Sequence, residues 1–285
     1  MTLLTSQDEL AIRNAIALLE APSFAIQVAN LVGKPIEWSL SKLPAMVKNK
    51  IQDVVHTALY KAVDAALYTL DDAPARVASP KTHKLAVAAS GAVSGFFGAA
   101  GLLVELPVST TIMMRSVADI ARSEGFSLTD LSVKAACVEV FALGGPQESD
   151  DAADSAYYTS RAVLADITRH TTRELIGIAG KKSAGKASAR MSSSQAGKTL
   201  AKLIDAVATR LGVTMTEKMA AQIVPVIGAA SGAAINTLFI HHYQNMAKGH
   251  FIIKRLEQTY GEDAIRSAYL ELKNSHRRPD VITSD

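Results

Sequence analysis

Two uncharged stretches constrain this chain more than any other feature. Residues 85–104 read "LAVAASGAVSGFFGAAGLLV", twenty positions without a charged side chain. Residues 219–240 read "MAAQIVPVIGAASGAAINTLFI", twenty-two positions of the same kind. Each holds two glycines four apart, Gly91 and Gly95 in the first and Gly228 and Gly232 in the second. On a helix, small residues at i and i+4 flatten one face, so two such faces can approach until their backbones nearly touch. Asn236 extends the Gly228/Gly232 row by one turn and is placed to hydrogen-bond across such a contact. Twenty helical residues reach about 30 Å, the thickness of a bilayer core. Composition argues against a span, because only eight of the twenty in the first stretch are Leu, Val or Phe. Each of these favours insertion by only about 0.3–0.6 kcal/mol. In the second stretch Pro225 suits the first turn of a helix. Sixteen residues then remain to Ile240, roughly 24 Å and short for a span. The expectation is a pair of buried helices meeting along their glycine seams, with a membrane-inserted hairpin as the alternative.

Helical periodicity runs through the rest of the chain. Ser6 with Glu9 forms a capping box that opens a first helix, ending near Pro22. A long helix follows from about Pro44 to Leu70, with Val47, Ile51, Val54, Ala58, Ala62 and Leu67 near one stripe. Pro107 suits the first turn of a further helix, "EGFSLTD" reads as a turn, and "LSVKAACVEVFAL" is helical again. "GGPQESDDAADS" is an acidic loop, and "YYTSRAVLADITRHTTRELIGIA" is another helix. The polar, basic residues 180–198 read as a flexible loop, followed by a helix to Gly212. Thr214 with Glu217 makes a second capping box. No run alternates with period two and β-branched enrichment, so no strand is expected. The fold class is all-α: one multi-helix globular domain over residues 1–275, with two packed Gly/Ala-rich apolar helices and a disordered polar tail over 276–285.

A net charge of +3 and a pI near 8.9 are too slight a basic surplus for a nucleic-acid partner. They suit an anionic membrane surface. The mean hydropathy of +0.15 and an aromatic content of 5% point to a core of small side chains. The single cysteine, Cys137, sits in an apolar run and reads as a buried structural thiol. "MTLLTSQDEL" has no basic segment leading into an apolar core, so the expected location is cytoplasmic, with peripheral attachment at the inner membrane.

Motifs for chemistry are few, and no cofactor is expected. "GKKSAGKA" nearly fits a phosphate-binding loop, but Ala187 stands where Ser or Thr should hold Mg²⁺. "SSSQAGKT" has Ser192 in place of its opening glycine, and neither follows a strand. His242 and His250 lie two helical turns apart and are the metal candidates, yet no carboxylate stands beside them at ligand spacing. Their plainer reading is surface histidines. Glu105 interrupts an apolar run just before Pro107. It is read as a partly buried carboxylate near a helix N-terminus, serving either a cap or a pocket. Arg115 pairs with Asp119 at i, i+4 in the structural reading. In the catalytic reading Glu105, Arg115 and Asn236 converge between the two seams.

The segment "GAVSGFFGAAGLLVELPVSTTIMMRSVADIARSEGF" resembles the first signature of the EcsC protein family: a glycine-rich apolar stretch, an acidic-x-Pro, then a helix with an arginine. "PVIGAASGAAINTLFIHHYQNMAKGHFIIKRLEQTYG" resembles the second. The resemblance covers about residues 10–270. It departs at Glu105, where Asp is frequent, at Glu124-Gly125, where Tyr-Gly is common, and over residues 181–198, which have no counterpart. The family takes its name from a protein encoded beside an ABC transporter. The resemblance therefore implies an α-helical, intracellular protein whose partner is a membrane surface or a membrane-protein complex. It implies no reaction. Three readings stay open: a non-enzymatic helical protein at the membrane, a hydrolase-like enzyme with a pocket between the seams, and a membrane-inserting, toxin-like protein.

Overall fold

The computed structural model describes residues 4–33, 40–41, 43, 45–69, 98–144, 155–181, 186–223 and 229–277. Among them it has nine α-helices and no strand. They are α1 (Ser6–Leu19), α2 (Phe24–Val32), α3 (Ala45–Thr69), α4 (Gly98–Ser123), α5 (Leu131–Glu139), α6 (Ala156–Lys181), α7 (Lys186–Ile223), α8 (Ala229–Tyr260) and α9 (Glu262–Arg277). One turn of 3₁₀ helix, Val140–Ala142, follows α5 directly. The all-α expectation is met. Gly91, Gly95 and Gly228 lie outside the described residues, as do Pro225, the acidic loop between Gly144 and Ser155, and the tail beyond Arg277.

α8 is the central element, packed against α1, α2, α4, α7 and α9. Its middle is buried nearly all round, with Phe239, Tyr243, Ala247, Phe251 and Ile253 fully enclosed. A helix apolar on every side must be covered on every side. α1 brings Ile12, Ala15 and Leu19 to it, a stripe at i, i+3 and i+7. The two helices meet closely at Gly249, where an added Cβ would lie 2.5 Å from Leu19 Cγ. α3 lies along α4 and α7 and buries Ile51, Val55, Leu59 and Ala62. Phe141, just past α5, stacks on Tyr243 at 5.1 Å between ring centroids.

Several boundaries differ from the expectations. The cap of α1 is Thr5, not Ser6: its hydroxyl accepts from Asp8 N at 3.1 Å and donates to Asp8 Oδ2 at 2.6 Å. The same three-residue spacing works one position earlier. Pro107 does not begin a helix but lies inside α4. A proline there costs about 3 kcal/mol, offset by the core burial of Leu106, Met113, Met114 and Val117. Thr214 and Glu217 do not open a helix, because α7 runs unbroken through Gly212. Both are instead buried in mid-helix beside Lys218, whose Nζ lies 4.8 Å from the centre of the Phe239 ring. The basic stretch expected as a loop is helical on both sides of residues 182–185, which lie outside the described residues. From Lys186 to Lys198 it holds three alanines and no proline, but also four serines and a glycine, so local propensity alone does not decide for helix there.

Candidate functional site

The start of α6 is fixed by a carboxylate from far away in sequence. Ser155 caps the helix by accepting from Tyr158 N at 3.2 Å. Glu20, just after α1, takes the Ser155 hydroxyl and the Ala156 N–H. It also accepts from Tyr269 Oη at 2.9 Å and meets Lys273 Nζ at 3.2 Å, both on α9. A negative charge at a helix N-terminus satisfies free N–H groups and opposes the helix dipole. This knot sets the rotation of α6 and so aims Tyr157, Tyr158 and Arg161 inward.

Opposite them α8 presents His250, Lys254 and Glu257 at i, i+4 and i+7, one face of the helix. Arg161 joins Glu257 through two guanidinium contacts at 2.6 and 3.2 Å and lies 3.6 Å from Glu262 on α9. Its Nη1 also donates to Tyr157 Oη at 3.2 Å. Tyr157 Oη in turn lies 3.0 Å from His250 Nδ1. Arg161 has only protons to give, so the phenol proton is directed to Nδ1 and the imidazole carries its own on Nε2. That nitrogen is buried, has no hydrogen-bond partner among the described residues, and stands 3.9 Å from Glu139 Oε2. Burial holds the His250 imidazole well below its ordinary value, with Lys254 and Arg161 adding to the effect. Burial likewise pushes the Glu139 carboxyl above the carboxylate range, against the pull of Lys254 and Arg161. Both shifts favour the uncharged forms, which weakens any ion-pair character of the Glu139–His250 contact.

Glu139 and Tyr158 lie at the floor of a cavity of about 580 Å³ between α5, α6, α8 and α9. Its mouth is edged by exposed residues, Arg169 and Arg173 of α6 and Asp263 and Arg266 of α9. A smaller cavity of about 310 Å³ adjoins it, the two sharing Glu139, Thr168, Lys254 and Glu262. The Tyr158 hydroxyl and Thr168 Oγ1 are buried and have no hydrogen-bond partner among the described residues. Buried polar atoms are normally paired, so two orphans on one wall suggest a group that completes them. Volume and lining together suit a small polar ligand.

Of the expected site residues, those that are described lie away from this cavity. Glu105 is in α4, but its side chain lies outside the described residues. Arg115 is half-buried on α4 and Asn236 fully buried on α8. Neither Arg115 nor Asn236 lines this cavity. Asp119, expected to pair with Arg115, pairs with Arg122 instead. Gly232 is in the first turn of α8. His242 and His250 are not surface histidines; both are buried, at 2% and 0% exposure. His242 packs under Gly144, and burial draws its pKa down to about 4. Among the described residues no group of three or more His, Cys, Asp or Glu is arranged to hold a metal. Cys137 is buried as expected, and burial pushes its thiol up to about 12. Glu139, Tyr157, Arg161, Lys254 and Glu257 match no motif. What could have singled them out is ionisable residues at helical spacing on a segment otherwise apolar all round: a buried charge needs a partner, and two such faces imply each other.

Among the described residues no helix is long and apolar enough to cross a membrane. The chain finds no match among curated proteins or among solved structures. Its sequence does match one family model, described as the EcsC protein family, over residues 26–256. That span takes in α3 to α7 and the cavity-lining part of α8, and on it the chain belongs to the EcsC protein family.

Proposed function

We propose that this EcsC-family protein is a binding protein that receives an anionic ligand in the cavity between α5, α6, α8 and α9. The observation that carries the reading is the charge on the wall. Arg161 and Arg169 are matched by Glu257 and Asp166. Arg173, Lys254 and Arg266 face the cavity with no ion-pair partner among the described residues. Cations gathered at a recess lined by low-dielectric protein focus an anion there. Inorganic phosphate, at ionic strength matched with chloride, should raise the thermal unfolding midpoint of the full chain, as any ligand of the native state does. Arg173 is exposed, so Arg173→Gln should fold normally and lose most of that rise. The same midpoint in phosphate and chloride rules the reading out.

A second reading places the protein at an anionic membrane surface. It is favoured by the sequence between Glu174 and Asp205, which has no acidic residue and contains Lys181, Lys182, Lys186, Arg190, Lys198 and Lys202. Each basic residue near such a surface contributes about 1 kcal/mol, weakened by salt. Arg173 and Lys181 lie eight residues apart on α6, about 12 Å along the axis, so the cationic wall leads toward this basic stretch of sequence. Flotation with anionic liposomes at low salt, lost at high salt, is the expected result. Protein that stays at the bottom of the gradient under both conditions excludes this role.

A further inference from the structure

We infer that the ligand of this cavity is a phosphate ester bearing free hydroxyl groups, a phosphorylated polyol, and not a simple anion. The inference rests on the anion-binding reading above and adds the other half of the recognition. A site for a bare anion would be lined by donors alone. This wall mixes cations with acceptors: Lys254, Arg173 and Arg266 stand beside Glu262 and Asp263. Carboxylates repel a phosphate but accept well from the hydroxyls of a polyol. The phenol of Tyr158, a residue only 8% exposed, is buried with no hydrogen-bond partner among the described residues and lines the same cavity. Thr168 Oγ1 is a second such atom on the same wall. A hydroxyl can give and accept at once, and so can a polyol, which makes these two groups natural partners for it. Glu139 adds to this at the floor, because burial favours its protonated form. It can then donate to a ligand oxygen as well as accept.

The geometry divides the labour along the cavity. Arg173 and Arg266 stand at the mouth and Lys254 deeper, where they would hold the phosphate. Tyr158, Thr168 and Glu139 form the inner wall, where hydroxyls would lie. Glu262, Asp263 and Arg266 come from α9, which begins beyond residue 256, where the family match ends. The inner wall thus comes from the matched region, while one side of the mouth comes from outside it.

Isothermal titration of the full chain tests this with three probes: myo-inositol 1-phosphate, inorganic phosphate and myo-inositol. The ester should bind about tenfold or more tighter than phosphate, the order expected for one or two added hydrogen bonds. Myo-inositol alone should not bind measurably. Tyr158→Phe should weaken the ester about tenfold and leave phosphate unchanged. Arg173→Gln, at an exposed position, should weaken both. Equal affinity for ester and phosphate, unmoved by Tyr158→Phe, overturns the polyol inference while the anion reading stands. No binding of either anion overturns both. Phosphatidylcholine vesicles with and without phosphatidylinositol separate the two sources of the same chemistry. Capture that depends on both phosphatidylinositol and Arg173 assigns the ester to a lipid headgroup. Binding of the soluble ester without capture assigns it to a free metabolite. Either result supports the inference.

Discussion

Tyr157 Oη stands 3.0 Å from His250 Nδ1, with Arg161 donating to the same phenol oxygen from the other side at 3.2 Å. The three form a line from the guanidinium to the buried imidazole, with Glu139 beyond it. Tyr157 and His250 are both enclosed, and among the described residues the phenol proton has one acceptor within reach. Tyr157→Phe removes that proton and leaves Nδ1 buried and unpaired, which costs about 1–3 kcal/mol. Urea unfolding should read that loss. Nitrogen NMR of the wild-type imidazole should find Nδ1 unprotonated and Nε2 protonated; the opposite tautomer would reverse the assigned direction of the line.

Gly144 holds φ at +69° directly over His242. An added Cβ would lie 2.6 Å from His242 Cε1 and Nε2 and 2.9 Å from Met246 Sδ. Gly144→Ala therefore combines left-handed strain of about 1–2 kcal/mol with overpacking of about 1–3 kcal/mol. Gly125 holds φ at +93° with nothing within 4 Å of its added Cβ, so Gly125→Ala should carry the strain alone. The difference between the two variants in chemical denaturation isolates the packing part. Equal losses would mean that His242 and Met246 move aside without cost.

The helices were legible where local chemistry decides them. The long helix expected from about Pro44 to Leu70 runs Ala45–Thr69, because proline and apolar periodicity act within a few residues. The turn at Gly125 was equally plain, since a positive φ calls for glycine. Pro107 and Gly212 misled for the opposite reason: packing outweighs a local helix-breaking tendency when both sides of the helix are anchored in the core. The site was hidden more deeply. His250 was singled out as one of two histidines two turns apart, but its partners Tyr157 and Glu139 lie 93 and 111 positions earlier in the chain. Spacing along one helix places residues on a common face, yet nothing local says that the face will be buried, or against what. The fixed rotation of α6 depends on Glu20, which belongs to no motif and whose partners Ser155, Tyr269 and Lys273 lie far along the chain.

Glu20 gives the last expected outcome. Its carboxylate gathers the Ser155 hydroxyl, the Ala156 N–H, Tyr269 Oη and the buried Lys273 ammonium. Glu20→Gln keeps the shape, removes the charge, and turns one acceptor into a donor facing other donors. At neutral pH the loss should be about 2–4 kcal/mol, as for removal of one partner from a largely buried pair. Burial works to raise this carboxyl, but the Ser155 hydrogen bond and the Lys273 charge hold it below the usual range. A group with a lowered folded-state value stabilises fully above its unfolded value, about 4.3 for glutamate. That stabilisation is lost as pH falls through the lower folded value. The gap between wild type and Glu20→Gln should therefore be constant above about pH 5 and narrow steadily below about pH 4. Unfolding free energies measured across that range decide the matter. A gap that stays the same in acid would place the effect of the substitution in shape and hydrogen bonding, with no part for the charge.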